Sequence, residues 1–159
     1  MAADGAAAAC PFCTAGETAA FLADAGFLAL HNIAPVLPGH SLVIPRRHVA
    51  SLLDLGDGEV AAMMAFARRT TRLLMRVFGG EGFDWTIQDG AAAGQTVAHL
   101  HLHVLPRHAG DLPEPGDWYP RLMASEAAAL DSRIRPRLTS AEHASITGRL
   151  RSMATLPLI

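Results

Sequence analysis

The sequence predicts an α+β fold: an antiparallel meander sheet with one long helix packed on it and a helical extension at the C-terminal end. Three observations carry this. His99, Leu100, His101, Leu102, His103 and Val104 alternate imidazole with aliphatic side chains, the period-2 pattern of a half-buried strand. Asp57 to Phe78 bears apolar residues at steps of three and four, as one face of a long helix does. Short apolar runs elsewhere are separated by Pro and Gly punctuation, which marks strands joined by turns.

In chain order, Glu17 to Ala23 carries a weak signal for a short helix or a strand. Phe27 to Asn32 reads as a strand, Pro35 and Pro38-Gly39 as the turn after it, and Ser41 to Ile44 as a second strand stopped by Pro45. These two strands should pair antiparallel across the turn. On the long helix, Val60, Met63, Met64, Ala67, Thr71, Leu74, Met75 and Phe78 form the stripe, with Asp57 as N-cap and Gly79-Gly80 as the stop. Its Met and Phe residues read as core filling. Phe83 to Gln88 is a third strand with Phe83, Trp85 and Ile87 on one face. Asp89 to Gly94 then turns the chain into the histidine strand. Asp111 to Pro120, with Trp118-Tyr119, reads as a long loop. Thr139-Ser140-Ala141-Glu142 has capping-box spacing ahead of a helix bearing Ile146, Leu150 and Met153.

The 159 residues suit one domain, with 50% hydrophobic and 18% charged residues. Residues 1–15 read as a flexible N-terminal tail, 16–120 as the domain and 121–159 as the helical extension. A net charge of -2 gives no electrostatic case for nucleic acid or an anionic membrane as partner. All 13 basic residues are Arg, which excludes Schiff-base chemistry and a phosphate-binding lysine in this chain. No run approaches the roughly 18 apolar residues of a membrane span. The first residues lack the basic start of a signal peptide, so the expected location is cytoplasmic. In a reducing compartment, the C-x-x-C spacing of Cys10 and Cys13 favours metal or redox use over a structural disulfide.

Successive strand side chains point to opposite faces, so Leu100, Leu102 and Val104 face a core while His99, His101 and His103 form a row, roughly 6.6 Å apart. Such a row fits either a metal site or nucleophilic catalysis. Asp111 is the nearest carboxylate downstream and lies in a loop, which weighs against a metal oxygenase. Gly94-Gln95-Thr96 offers a glycine, an amide and a hydroxyl as neutral donors to phosphate oxygens, with Gln88 at the end of the preceding strand. That favours a nucleotide phosphate as ligand; Gln95 and Thr96 as ordinary strand-end groups remain equally open.

His99-Leu-His101-Leu-His103-Val-Leu resembles the His-φ-His-φ-His-φ-φ signature of the histidine triad family of nucleotide hydrolases and transferases. Leu30-His31-Asn32, Pro35 to His40, Leu42 to Pro45, Gln88-Asp89-Gly90 and Gly94 to Val97 fall in the family's order, covering roughly residues 16 to 120. Gln88-Asp89-Gly90 and Leu105-Pro106-Arg107 look most like the fragile-histidine-triad branch. The resemblance implies a histidine-triad-like fold and hydrolysis of dinucleoside polyphosphates at the α-phosphate. His101 would be the nucleophile that becomes nucleotidylated, His103 would orient or handle protons, and His40 would complete the imidazole ring system. Asn32 would contact ribose; Gln88, Gln95 and Thr96 would contact phosphate; Leu30, Ile33 and Leu42 would hold a purine base. The resemblance also implies a homodimer formed through the long helix and adjacent strand. A structural zinc on Cys10, Cys13, His48 and His99 is implied, with no organic cofactor. Adenosine phosphoramidate hydrolysis and phosphorolytic nucleotidyl transfer are alternatives within the family, and a nucleotide-sensing protein with vestigial turnover is the alternative outside enzymology.

Overall fold

A computed structural model describes residues 10–127 and 136–155. Cys10 is the N-cap of helix α1 (Pro11–Ala19), whose first residue is the proline that lacks an N–H there in any case. The chain continues through β1 (Ala20–Ala23), β2 (Phe27–His31), β3 (Ser41–Pro45), α2 (Asp57–Phe78), β4 (Gly82–Ile87), β5 (Leu102–Arg107), α3 (Trp118–Ala127) and α4 (Ser140–Ala154). The five strands form one sheet in the order β1-β2-β3-β5-β4, with every neighbouring pair antiparallel. The α+β class holds. The meander runs through the first three strands; α2 then carries the chain to the far edge, and β5 returns to lie between β3 and β4.

Strand alternation assigns the two faces. Phe27, Ala29, Val43, Leu102 and Val104 join the main core with Met63, Phe66, Ala67, Leu73 and Leu74 of α2. Leu28, Leu30, Leu42 and Ile44 point to the other face, where Phe12 and Ala19 of α1 pack on them. The sheet is therefore covered on both sides along β2 and β3, each buried at all five positions. Phe66 and Leu73, outside the expected stripe, are buried as well, with the Phe66 ring 6.0 Å from Phe27 of β2. Ile146, Leu150 and Met153 of α4 join the same core beside α2.

Four expectations change. Residues 10–15 are the N-cap and first residues of α1, not tail; residues 1–9 lie outside the described residues. Glu17 to Ala23 is both things in turn, helix to Ala19 and strand from Ala20. The N-cap of α2 is Gly56, whose backbone N–H donates to Glu59 Oε2 at 3.0 Å, while Asp57 is the first helical residue. An acidic first turn complements the helix dipole without capping it. Trp118, Tyr119 and Pro120 open α3 rather than lying in a loop. Proline in a first turn forfeits no helical hydrogen bond, so Pro120 does not argue against a helix. Of the extension at 121–159, residues 128–135 and 156–159 lie outside the described residues. The capping box of Thr139 and Glu142 forms as expected, at 2.8 and 3.2 Å. Among the described residues, no helix is long and apolar enough to cross a membrane.

The turn from β2 to β3 brings the chain back through Pro38-Gly39. Gly39 has φ +85°, and a Cβ there would lie 2.8 Å from the Phe78 ring and 2.9 Å from Pro106, so only glycine fits. Just before this turn, the buried His31 ring stacks on Phe78 at 6.3 Å and lies 5.8 Å from the ring of His143. Burial, with the His143 charge beside it, pushes the His31 pKa from 6.5 down to about 4. The unfolded chain thus takes up this proton at higher pH than the folded one. His31 burial favours the fold fully above pH 6.5, and the contribution is lost as pH falls toward 4. Replacing it, His31→Phe, should retain up to roughly 3 kcal/mol more stability at the acid end of that window than the parent chain does. Urea denaturation across the window checks this; parallel stability profiles would remove His31 as the cause.

Candidate functional site

The ladder of β5 begins only at Leu102, so His99 and His101 stand ahead of it, His99 in a bend where its N–H donates to Val97 O at 2.7 Å. Leu100 N–H donates to Val49 O at 2.7 Å and anchors this approach. The alternation is as expected, with Leu100, Leu102 and Val104 in the main core. The histidine face is not solvated, however. His99, His101 and His103 are 1%, 4% and 3% exposed. The cover comes from α1, whose Phe12 ring meets His99 edge-on at 5.7 Å and His101 at 5.4 Å.

Backbone groups fix the tautomers. A carbonyl only accepts, so His101 Nδ1–H donates to His99 O at 2.8 Å and Nε2 carries the lone pair. Burial pushes the His101 pKa down, against the pull of that hydrogen bond, so the ring stays neutral and its Nε2 nucleophilic. Val36 N–H donates to His40 Nδ1 at 3.2 Å, so His40 Nε2–H donates onward to His103 Nδ1 at 2.9 Å. His103 in its neutral form then bears its proton on Nε2. Its ring centroid is 4.9 Å from that of His101. The pair therefore places a nucleophilic nitrogen beside a proton-bearing ring.

His99 faces elsewhere. Its Nε2–H donates to Pro45 O at 2.9 Å, which leaves the Nδ1 lone pair 3.4 Å from Cys10 Sγ and 3.5 Å from Cys13 Sγ. His48 Nδ1 is 3.4 Å from Cys13 Sγ. The ligating atoms of Cys10, Cys13, His48 and His99 all lie within 4.8 Å of one another, and this set can hold a metal ion. A tetrahedral centre with sulfur and nitrogen ligands has S···N edges of about 3.5 Å, so the residues fit such an ion. The second nitrogen of His99 bonds to a carbonyl, as metal-bound imidazoles generally do.

The remaining candidates sort by their contacts. Asn32 Oδ1 accepts from Ala34 N at 2.9 Å, closing an Asx turn at the end of β2. Leu30 and Leu42 are buried under α1, and Leu42 pairs with His103 across β3 and β5; Ile33 is 49% exposed. Gln88 is buried just past β4, where the register Ile87 opposite Leu102 brings it level with His101. Gln95 is committed to the loop: Oε1 accepts from Gly90 N and Nε2 donates to Ala50 O, each at 2.8 Å. Gly94, at φ +94°, turns the chain before it. Thr96 is half-buried beside it. Two contributors escaped the sequence reading. Phe12 covers the imidazoles, and the only signal was its place between two cysteines. Asp89 accepts from Leu52 N at 2.7 Å and Ser51 Oγ at 3.1 Å, pinning the turn after His48; its place beside Gln88 was the signal.

These features define a class of protein: a five-stranded α+β domain with a neutral imidazole row on a covered face. The HIT domain model matches residues 15–110, and the chain belongs to the HIT family. It is 40% identical over 98 residues to a bis(5'-nucleosyl)-tetraphosphatase [asymmetrical] of Schizosaccharomyces pombe, covering 62% of this chain and 54% of that protein. It is 45% identical over 83 residues to a bis(5'-adenosyl)-triphosphatase of Dictyostelium discoideum, covering 52% of this chain and 56% of the relative. The chain thus spans about half the length of these two curated relatives. The crystal structure of a Zn-bound histidine triad family protein from Mycobacterium smegmatis superposes with a TM-score of 0.60 at 36% identity, over 76% of this chain and 95% of that one.

Past the site, Arg107 organises the return of the chain. Its guanidinium bonds both oxygens of Asp111 at 2.8 Å, Asp84 at 2.6 Å and Pro115 O at 2.7 Å. The Arg107 hydrogen bonds hold the Asp111 carboxyl down at about 2, from 3.8. Its contribution is whole above pH 3.8 and is lost as pH falls toward 2. Arg107→Met should cost about 3 kcal/mol at neutral pH by stranding two carboxylates. The cost should shrink in acid as Asp111 protonates; a pH-independent difference in urea midpoints would refute the pairing.

Proposed function

We propose that this chain hydrolyses dinucleoside polyphosphates at the α-phosphorus, with His101 as nucleophile. The observation that carries the reading is the His101 Nδ1–H bond to His99 O, which aims a lone pair from Nε2 in a ring that burial keeps neutral. Nε2 attacks the α-phosphorus, the P–O bond to the leaving nucleotide breaks, and the transient nucleotidyl-histidine has a P–N bond. The neighbouring His103 Nε2–H donates a hydrogen bond to the leaving oxygen, which departs as an anionic phosphate oxygen of the leaving nucleotide. His40 Nε2–H holds His103 in that tautomer. Water then attacks phosphorus and gives up a proton to solvent, the P–N bond breaks, and a nucleoside monophosphate leaves with His101 restored to its neutral form. Donors around phosphorus stabilise charge on its equatorial oxygens. Gln88 and Thr96 are the side chains assigned there. Gln95 acts by shaping the loop that presents them. Asn32 takes the ribose, and Leu30, Ile33, Leu42 and Phe12 take the purine. The names of the two nucleotide-cleaving relatives support this substrate class.

Zinc is the metal assigned to Cys10, Cys13, His48 and His99, in a structural role that ties α1 to the sheet. Two thiolates and two imidazoles are a closed tetrahedral donor set, and the related Zn-bound protein supports the assignment. A homodimer is assigned to the outer face of α2 and β4. There Thr71, Met75, Phe83 and Trp85 line an open groove of about 660 Å³ with Arg68, Arg72 and Arg76.

Two measurements test these assignments. With diadenosine triphosphate, the parent chain should release AMP and ADP. His101→Asn should lose at least about 10³-fold in turnover while still binding AMP, the scale of losing a committed nucleophile. Near-parental turnover by that variant would sink the mechanism, and ADP formed from added phosphate would make the reaction phosphorolysis. Native mass spectrometry of protein purified without chelator should show a dimer with about one zinc per chain. A metal-free or monomeric species would retire the corresponding assignment.

A further inference from the structure

Helix α4 lies beyond the residues matched by the family model, yet it is bound into the domain at specific backbone atoms. Arg149 Nη2 donates to Val77 O at the end of α2, and Arg151 Nε donates to Ala20 O at the start of β1, each at 2.9 Å. Two further contacts bracket Asn32. His143 Nε2–H donates to His31 O at 2.9 Å, and Leu138 N–H, just ahead of the helix, donates to Ile33 O at 2.9 Å. Sheet pairing runs out at His31, opposite Ser41. The carbonyls on either side of Asn32 therefore take their partners from outside that strand pair. The C-terminal segment supplies both. From the other side, Asn32 N–H donates to His40 O at 3.0 Å, which connects the same turn to the imidazole relay.

We propose that the segment 136–155 is a positioning element of the nucleoside site: His143 and Leu138, acting through the carbonyls of His31 and Ile33, hold Asn32 and Ile33 in place for the ribose and base. The inference rests on the nucleotide reading given above. Neither residue reaches the phosphoryl centre, so the signature is a change in nucleoside affinity with the chemical step intact. A merely structural role would lower stability without that split. The burial of His31 between Phe78 and His143 fits the same picture, because the packing that keeps its ring neutral also fixes the end of β2.

The test compares full-length chains. His143→Leu removes the donor, His143→Gln keeps an N–H donor, Leu138→Pro removes the second N–H, and Arg149→Leu removes a contact that α4 makes with α2 rather than with the carbonyls beside Asn32. KM and kcat are measured with diadenosine triphosphate, AMP affinity by calorimetry, and stability by thermal unfolding. His143→Leu and Leu138→Pro should each raise KM and the AMP Kd about fivefold, the scale of one lost hydrogen bond, with kcat unchanged. His143→Gln should stay near the parent, and Arg149→Leu should lower the unfolding midpoint while leaving KM alone. The proposal is overturned if Leu138→Pro and His143→Leu bind AMP like the parent, or if Arg149→Leu weakens binding equally. Should His143→Leu fail to fold, Leu138→Pro and His143→Gln still decide it. Absence of turnover by the parent would overturn the hydrolase reading alone, because the AMP comparison still reports on the positioning.

Discussion

The hydrogen bond from His101 Nδ1 to the carbonyl of His99 is the contact on which the site depends, and it exists because the strand is interrupted there. In a continuous antiparallel ladder the carbonyls alternate between partner strands. Here regular pairing starts at Leu102, and the His99 carbonyl is left to accept from a side chain two residues on. His99 thereby serves two neighbourhoods at once. Its carbonyl orients the His101 ring, while its own ring is held by Pro45 O and turns Nδ1 toward the two cysteines. A shift of His99 would be felt at both.

Burial is the second constraint, and it works with the first. Removing imidazoles from water disfavours their charged forms, which lowers the pKa of both His99 and His101. A packed row of neutral rings is then stable only if each nitrogen has a defined role as donor or acceptor. Three backbone groups assign those roles: Pro45 O for His99, His99 O for His101, and Val36 N–H for His40. The hydrogen bond from His40 to His103 then follows from the backbone donor on Val36. Gly39 makes room for the turn that delivers His40 to this position.

Local chemistry was legible in the sequence wherever one periodicity decided the outcome. The faces of the histidine segment follow from alternation, and α2 has the bounds its stripe implies. The C-terminal capping box is likewise read from four residues. Features set by long-range packing were not legible. That the histidine row is buried depends on α1 lying over it, and nothing near His101 in sequence announces Phe12, 89 residues away. The N-cap of α2 fell to Gly56 rather than Asp57 because Glu59 reaches back to the Gly56 amide. Gln95 looked like a phosphate ligand by type and spacing, but Gly90 and Ala50 use both ends of its amide. Residue type identifies what a side chain can do; only the fold determines which of its bonds are already made.

The two ends of the described chain also depend on each other. Helix α1 has nine residues, too short to be stable alone in water. It is held from beneath by Phe12 and Ala19 on the β2–β3 face, and at its C-terminal end by Arg151 of α4, which donates to the carbonyls of Thr18 and Ala20. At its N-terminal end, Cys10 and Cys13 meet His48 and His99 from segments 35 to 89 residues distant. A metal ion joining those four side chains closes long loops, and loop-closure entropy grows only slowly with length. An ion held by those four side chains would tie α1 to the sheet at modest entropic cost, and with it the Phe12 ring against His101. Cover over the imidazole row is thus set from both termini: by the ligand cluster at one end of α1 and by α4 at the other.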